Sequence, residues 1–214
     1  MTPPARGRFI TLEGGEGAGK STQIRLLADA LRGIGIDVVT TREPGGSQGA
    51  EAVRNLLVNG DPGRWLPVSE ALLLSAARHD HVARTIRPAL EVGRWVLCDR
   101  FADSTMAYQG YGHGMDRGVL DRLRDIAIGD TVPDLTLILD IDPDQGLARA
   151  AARRGGEDRY ERMQVDFHRR LRDGYRAIAA ADPVRCAVID ASAGIDTIQG
   201  HIRATLALRL GVVW

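Results

Sequence analysis

The chain has 214 residues, 44% hydrophobic and 26% charged, a composition that suits a folded globular protein with a buried core. Its formal net charge is zero, which excludes a global basic field drawing it to nucleic acid or to an anionic membrane surface. No apolar run is long enough to span a bilayer, residues 1–6 lack the apolar core of a signal peptide, and the two cysteines, Cys98 and Cys186, make neither a disulfide framework nor a metal cluster. Buried free thiols and a cytoplasmic location are the expectation.

Five short apolar runs, 8–13, 37–41, 94–99, 135–141 and 186–190, read as strands separated by helical patterns. That alternation predicts βαβ units, hence an α/β fold around a parallel sheet covered on both faces. The first run leads into Gly14-Gly15-Glu16-Gly17-Ala18-Gly19-Lys20-Ser21, followed by Thr22, and then by Ile24, Leu27 and Leu31 at helical spacing. Strand, glycine loop and helix start, in that order, are the setting a P-loop needs. Its glycines let backbone N–H groups turn inward on phosphate oxygens, and the helix start adds unpaired donors and partial positive charge. Lys20 would reach the β- and γ-phosphates and Ser21 would hold Mg²⁺, so a nucleoside triphosphate is the predicted ligand.

The first helix is expected to end near Gly33-Ile34-Gly35, and a second covers 48–59. A third begins near Ser69-Glu70 with Leu72, Ala76, Ala83, Ile86 and Leu90 on one stripe, and Pro88 predicts a kink or break near Arg87. Residues 116–129 read as a helix whose apolar face is Val119, Leu123 and Ile126. From 160 to 178, Tyr160, Met163, Phe167, Leu171 and Tyr175 recur near the helical period as a core stripe, and Ile195, Ile198, Ile202 and Leu206 mark the last helix.

Ligands of open parallel sheets bind outside the carboxyl ends of the strands. Arg42 follows the second strand and Arg100 the third. Two planar forks beside a triphosphate site suit a second phosphate group. Asp99, ending a hydrophobic strand, is the favoured acid for ordering the metal. Asp140 and Asp142 compete for that role but fit better as the turn capping a helix at Pro143. Between the fourth and fifth strands, Arg149, Arg153, Arg154 and Arg159 surround Gly155-Gly156. They predict a lid over about 149–159 that brings guanidinium groups to a transferring phosphoryl.

These segments together resemble the bacterial thymidylate kinases over nearly the whole chain. The marks are Leu12–Thr22 with its P-loop, Thr41-Arg42-Glu43-Pro44-Gly45-Gly46, Ser75-Ala76-Ala77-Arg78 and Asp99-Arg100-Phe101. Ser104-Thr105-Met106-Ala107-Tyr108-Gln109-Gly110, Pro133–Leu137 and Asp158-Arg159-Tyr160-Glu161 add to them. The resemblance implies a three-layer α/β/α P-loop kinase, one domain spanning 1–214, with a five-stranded parallel sheet and a short lid. It further implies transfer of the γ-phosphoryl of ATP to dTMP with Mg²⁺, and a homodimer formed through stacked helices. Gly14 to Thr22, with Arg149 and Arg153, would bind ATP. Arg42 and Arg100 would grip the dTMP phosphate, with Pro44, Ser104 and Gln109 beside them in the acceptor site. Arg78 would meet the thymine edge, Thr105 would lie beside the base, and Tyr108 would crowd the sugar. Glu16 would approach the 3′-OH or the metal, the latter with Ser21 and Asp99. Lys20, Arg100, Arg153 and Glu16 are the implied catalytic set.

Some members of the family carry an arginine inside the P-loop, where this chain has Gly17; its lid arginines resemble the other type. Leu74 stands where the family favours a stacking Phe, which implies looser hold on the base by about 0.5–1.5 kcal/mol. Two rival readings stay open on sequence: another P-loop nucleoside or nucleotide kinase, or a nucleotide-binding sensor. No Asn-Lys-x-Asp guanine-reading motif is present. The turn after the fifth strand, 190–192, is the expected place for adenine contacts.

Overall fold

The computed structural model describes residues 6–61, 63–152 and 159–214. Its strands β1 (Phe9–Glu13), β2 (Val38–Arg42), β3 (Trp95–Asp99), β4 (Leu135–Asp140) and β5 (Cys186–Asp190) match the five apolar runs. All neighbouring pairs are parallel, in the order β2-β3-β1-β4-β5. Leu12 lies opposite Asp99, and Arg42 lies opposite Asp99 from the other side. The register therefore brings the carboxyl ends of β1, β2 and β3 together at one edge.

Alternation along β1 divides the core. Ile10 and Leu12 join Leu27 and Leu31 of helix α1 (Lys20–Gly33) and Ile198, Ile202 and Leu206 of α9 (Ile195–Leu210) on one face. Phe9 points the other way, edge-on to Phe101 with ring centroids 4.9 Å apart, among Val82, Ile86, Leu90 and Cys98. The central strands β1, β3 and β4 are thus buried on both faces, which is why they are near-continuous apolar runs, while the edge strands β2 and β5 stay partly exposed. Both cysteines are buried and free, as expected.

Between β2 and β3 run α2 (Gln48–Leu57), capped by Ser47, and α3 (Pro67–His81). A π-helical turn (Val82–Ile86) then leads into α4 (Arg87–Glu91). Pro88 sits at the start of α4, so the widened turn absorbs its missing N–H and is the form the expected break takes. The expected stripe holds at Ile86 and Leu90, both buried, and is corrected at Leu72, Ala76 and Ala83, which are exposed. Buried instead on α3 are Glu70, Ala71, Leu74, Ser75, Ala77, Arg78 and His81. Polar groups turned inward toward the site outvote hydropathy there, because buried hydrogen-bonding partners satisfy them.

Beyond β3 come α5 (Ala102–Thr105) and a π-helical segment, Met106–Gly112, neither anticipated as helical. Helix α6 (Arg117–Ile128) begins at the cap Asp116, yet its inward face is Leu120, Ala127 and Ile128; Val119 and Leu123 are half-buried and Ile126 is exposed. Asp142 caps α7 (Pro143–Ala151), accepting the Asp144 N–H at 3.0 Å, which confirms its assignment to the turn. Helix α8 (Val165–Ala181) starts later than residue 160; Tyr160 and Met163 pack against its buried face from the turn before it.

Candidate active site

Helix α1 begins with Gly19 at φ 88° and has no side-chain cap. Its first N–H groups therefore carry no side-chain partner and suit an anion. Lys20 Nζ is held under the loop by the carbonyls of Gly14 and Gly15, at 3.0 and 2.9 Å. Burial, reinforced by Arg100, pulls its ammonium down to about 8 against the opposing pull of Asp99 and Glu16. Ser21 Oγ donates to Asp99 Oδ2 at 2.9 Å. This hydroxyl–carboxylate pair is an all-oxygen set that fits a hard cation. No group of three or more His, Cys, Asp or Glu among the described residues could hold a metal unaided, so such an ion would take further ligands from phosphate and water.

A cavity of about 720 Å³ runs from this loop to α3 and the 102–112 segment. Glu16 to Thr22, Arg42, Pro44, Leu74, Arg78, Asp99, Arg100, Ser104, Thr105, Tyr108, Gln109 and Arg149 all line it. Gly14 and Gly15 do not; they serve through their carbonyls. Arg153, Arg154, Gly155, Gly156 and Asp158 lie outside the described residues.

Arg100 adopts φ 67°, a left-handed conformation that costs an L-residue about 1–2 kcal/mol and recurs at functional sites. Its N–H still donates to the Leu12 carbonyl at 2.9 Å, while the turn sends the guanidinium back over the P-loop. There Nη1 donates to the Gly14 carbonyl at 3.0 Å and Nη2 to Glu16 Oε1 at 2.9 Å. The Tyr108 hydroxyl donates to the same carboxylate oxygen at 2.6 Å, and the Arg100 guanidinium stacks 4.9 Å from the Tyr108 ring centroid. Burial pushes the Glu16 carboxyl up, but Arg100, Lys20 and Tyr108 together hold it down at about 2. Glu16 is thereby committed to the arginine side of the cavity rather than to the Ser21–Asp99 pair.

Arg42 lies half-exposed with Glu51 at 3.2 Å. Arg78 is buried against Glu43 at 2.7 Å and donates to the Phe101 carbonyl and to Thr105 Oγ1, both at 3.0 Å. Leu74, one turn before it, packs on Leu57 and Val58.

Arg149 lines the cavity from α7 and donates to the carbonyls of Ala191 and Ser192 in the turn after β5, at 2.8 and 3.0 Å. The expected mobile role of Arg159 is corrected. Arg159 is fully buried: it pairs with Glu70 and donates to the Leu57 carbonyl at 2.9 Å. Glu70 in turn accepts from Gln109 Nε2 at 2.7 Å. A guanidinium spent on such a strut is not a mobile one.

Sequence reasoning missed Glu13 and the cavity-facing Tyr160. Glu13 accepts from the Phe101 N–H at 2.7 Å, Ser104 Oγ at 2.5 Å and the Tyr175 hydroxyl at 3.2 Å. It ends β1 as a charge in an apolar run, and that oddity was the available signal.

A glycine loop opening an uncapped helix, sharing one cavity with several arginines at the carboxyl edge of a parallel sheet, defines a P-loop phosphotransferase. Comparison with known proteins narrows the class. The family model described as "Thymidylate kinase" matches residues 12–202. The thymidylate kinase of Caulobacter vibrioides is 56% identical over 207 residues, 97% of this chain and 99% of that one. That of Nitrobacter winogradskyi is 56% identical over 211 residues, 96% and 91% of the two chains. The crystal structure of thymidylate kinase from Ehrlichia chaffeensis superposes with a TM-score of 0.78 at 37% identity, covering 94% of this chain and 99% of that one. The chain belongs to the thymidylate kinase family.

Proposed function

We propose that the chain transfers the γ-phosphoryl group of ATP to dTMP, giving dTDP and ADP. An oxygen of the acceptor 5′-phosphate bonds to the γ-phosphorus as the bond to the bridging oxygen of ADP breaks. The observation that carries the reading is one cavity that joins an uncapped P-loop helix, with Arg100 laid over the loop, to Arg78 on the far wall. Such a transfer needs aligned phosphates and positive charge on the equatorial oxygens more than covalent help.

Gly14 to Thr22 hold the donor phosphates and Lys20 their β/γ end, while Arg149 closes the far end of the donor half. Arg42 and Arg100 bind the acceptor phosphate, with Pro44, Ser104 and Gln109 shaping its surroundings. Arg78 and Thr105 meet the thymine, which Leu74 covers with apolar surface, and Tyr108, fixed on Glu16, borders the sugar. Ser21 and Asp99 would hold Mg²⁺, which would supply positive charge to offset that of the phosphates. Gly17 supports the assignment of further positive charge to Arg153 in the 149–159 lid: a Cβ at Gly17 would stand 1.9 Å from the Gly146 carbonyl oxygen, so the loop has no room for an arginine of its own. No helix among the described residues is long and apolar enough to cross a membrane, which supports a cytoplasmic enzyme. Exposed apolar side chains on the adjoining α3 and α6 support a homodimer.

A coupled ADP-release assay with dTMP, dUMP, AMP, GMP, CMP and thymidine tests the reading. The expected result is turnover strongly favouring dTMP. A protein that binds ATP yet phosphorylates none of the panel is a sensor, and the proposal falls.

A further inference from the structure

The acceptor wall of the cavity is backed by a chain of buried polar groups reaching away from the nucleotide site. Arg78 uses Nε on Glu43 Oε2, at 2.7 Å. The other carboxylate oxygen, Oε1, lies 3.0 Å from Nδ1 of His81, and Nε2 of His81 lies 2.8 Å from Thr41 Oγ1. His81 is fully buried and is not among the residues lining the cavity. A carboxylate paired with arginine offers only acceptors, so Nδ1 donates to Glu43, and in the neutral imidazole Nε2 accepts from the Thr41 hydroxyl. The chain links the end of β2 (Thr41), the loop after it (Glu43) and α3 (Arg78, His81). Of the guanidinium's nitrogens, Nε and Nη2 are committed to Glu43, Phe101 and Thr105.

We propose that His81 is a positioning residue for acceptor recognition: by donating to Glu43, itself anchored through His81 to Thr41, it fixes the plane of Arg78 so that one guanidinium edge is presented to a carbonyl-bearing base. The inference rests on the proposed function and extends it to a residue that never touches substrate. A histidine that merely fills the core would, on replacement, lower stability and disturb both substrates alike. A positioning histidine changes the acceptor KM alone.

Steady-state kinetics of the full chain, with dTMP varied at saturating ATP and then the reverse, separate the two. His81→Leu is expected to raise the dTMP KM about ten-fold, the scale of one hydrogen bond to a charged group, with kcat and the ATP KM within about two-fold. His81→Asn, which can keep a donor near the Nδ1 position, is expected to recover most of the loss. Thr41→Val removes the hydroxyl at constant shape and is expected to raise the dTMP KM about three-fold. A folded His81→Leu with the wild-type dTMP KM overturns the inference, as does an equal rise in both KM values. If His81→Leu does not fold by circular dichroism, Thr41→Val decides, and an unchanged dTMP KM overturns it. A wild type that does not turn over dTMP overturns the function and the inference together, whereas failure in the variants alone removes only the role of His81.

Discussion

Glu13 and Glu16 sit at either end of one short turn, and their surroundings drive their carboxyls in opposite directions. Burial first, and Asp103 second, raise Glu13 from an ordinary 4.5 to about 7, against the lowering effect of Ser104, Arg100 and the Phe101 N–H. Burial also opposes ionisation of Glu16, but Arg100, Lys20 and Tyr108 overcome it and hold that group at about 2. The signs of their contributions to stability follow from linkage. A raised folded value means the folded chain binds the Glu13 proton more tightly, so its contribution is complete below about 4.5 and is lost as pH climbs through about 7. Glu16 contributes fully above about 4.5 and loses its share as pH falls toward 2. Thermal melting of the wild type and Glu13→Gln between those limits separates them: the wild type should lose a few degrees, relative to the variant, from the lower to the upper end of the Glu13 window. Parallel melting curves would remove the assignment. The P-loop, Arg42, Arg78, Arg100 and Asp99 were legible in the sequence because each belongs to a local string. The partners that fix them were not: Glu13 meets Tyr175 and Arg78 meets Glu43 across long stretches of chain, and no spacing rule carries that information.

At the scale of elements, the central strands were readable because burial on both faces demands near-continuous apolar runs. Helix faces were less so. On α3 the side that looks inward carries Glu70, Arg78 and His81, and on α6 the side chains most easily taken for core include the exposed Ile126. One contact between elements has a direct consequence. Gly17, at φ 68°, is pressed against α7 so closely that a Cβ there would stand 1.9 Å from the Gly146 carbonyl oxygen. A Cβ on Gly146 would lie 2.4 Å from the Glu16 carbonyl oxygen. Backbone meets backbone, and neither side can give without the loop leaving the helix. Gly146→Ala isolates this contact, since Gly146 lies within α7 and carries no left-handed strain. The variant should stay folded by circular dichroism while its ATP KM rises and kcat falls, together lowering kcat/KM about ten-fold or more, as misplacement of a catalytic loop by a fraction of an ångström does. Wild-type kinetics in Gly146→Ala would show that α7 does not hold the loop in place.

For the whole molecule, the layered α/β architecture follows from the alternation of strands and helices, but the surface left over does not. A solvated helix face normally carries charge, yet α3 exposes Val68 and Leu72, at 55% and 52%, and the adjoining α6 exposes Ile126 at 76% beside half-buried Val119 and Leu123. Apolar side chains gathered on two neighbouring exposed helix faces mark an interaction surface. The buried side of the same α3 carries Leu74 and Arg78 of the acceptor wall, so a partner clamped on its outer side would also stiffen the site. A second copy of the chain, offering the same two helices about a two-fold axis, satisfies both copies with one patch. The wild type should therefore run in light scattering at twice its 23.2 kDa chain mass. The double substitution Leu72→Asp with Ile126→Asp places like charges in the centre of that contact, where they meet their own symmetry mates and lose solvent. The variant should run at the single-chain mass, melt several degrees lower, and bind dTMP more weakly as α3 loses its outer support. A wild type that runs at the single-chain mass at micromolar concentration, or a double variant that keeps the doubled mass, would rule this face out as the place where two copies meet.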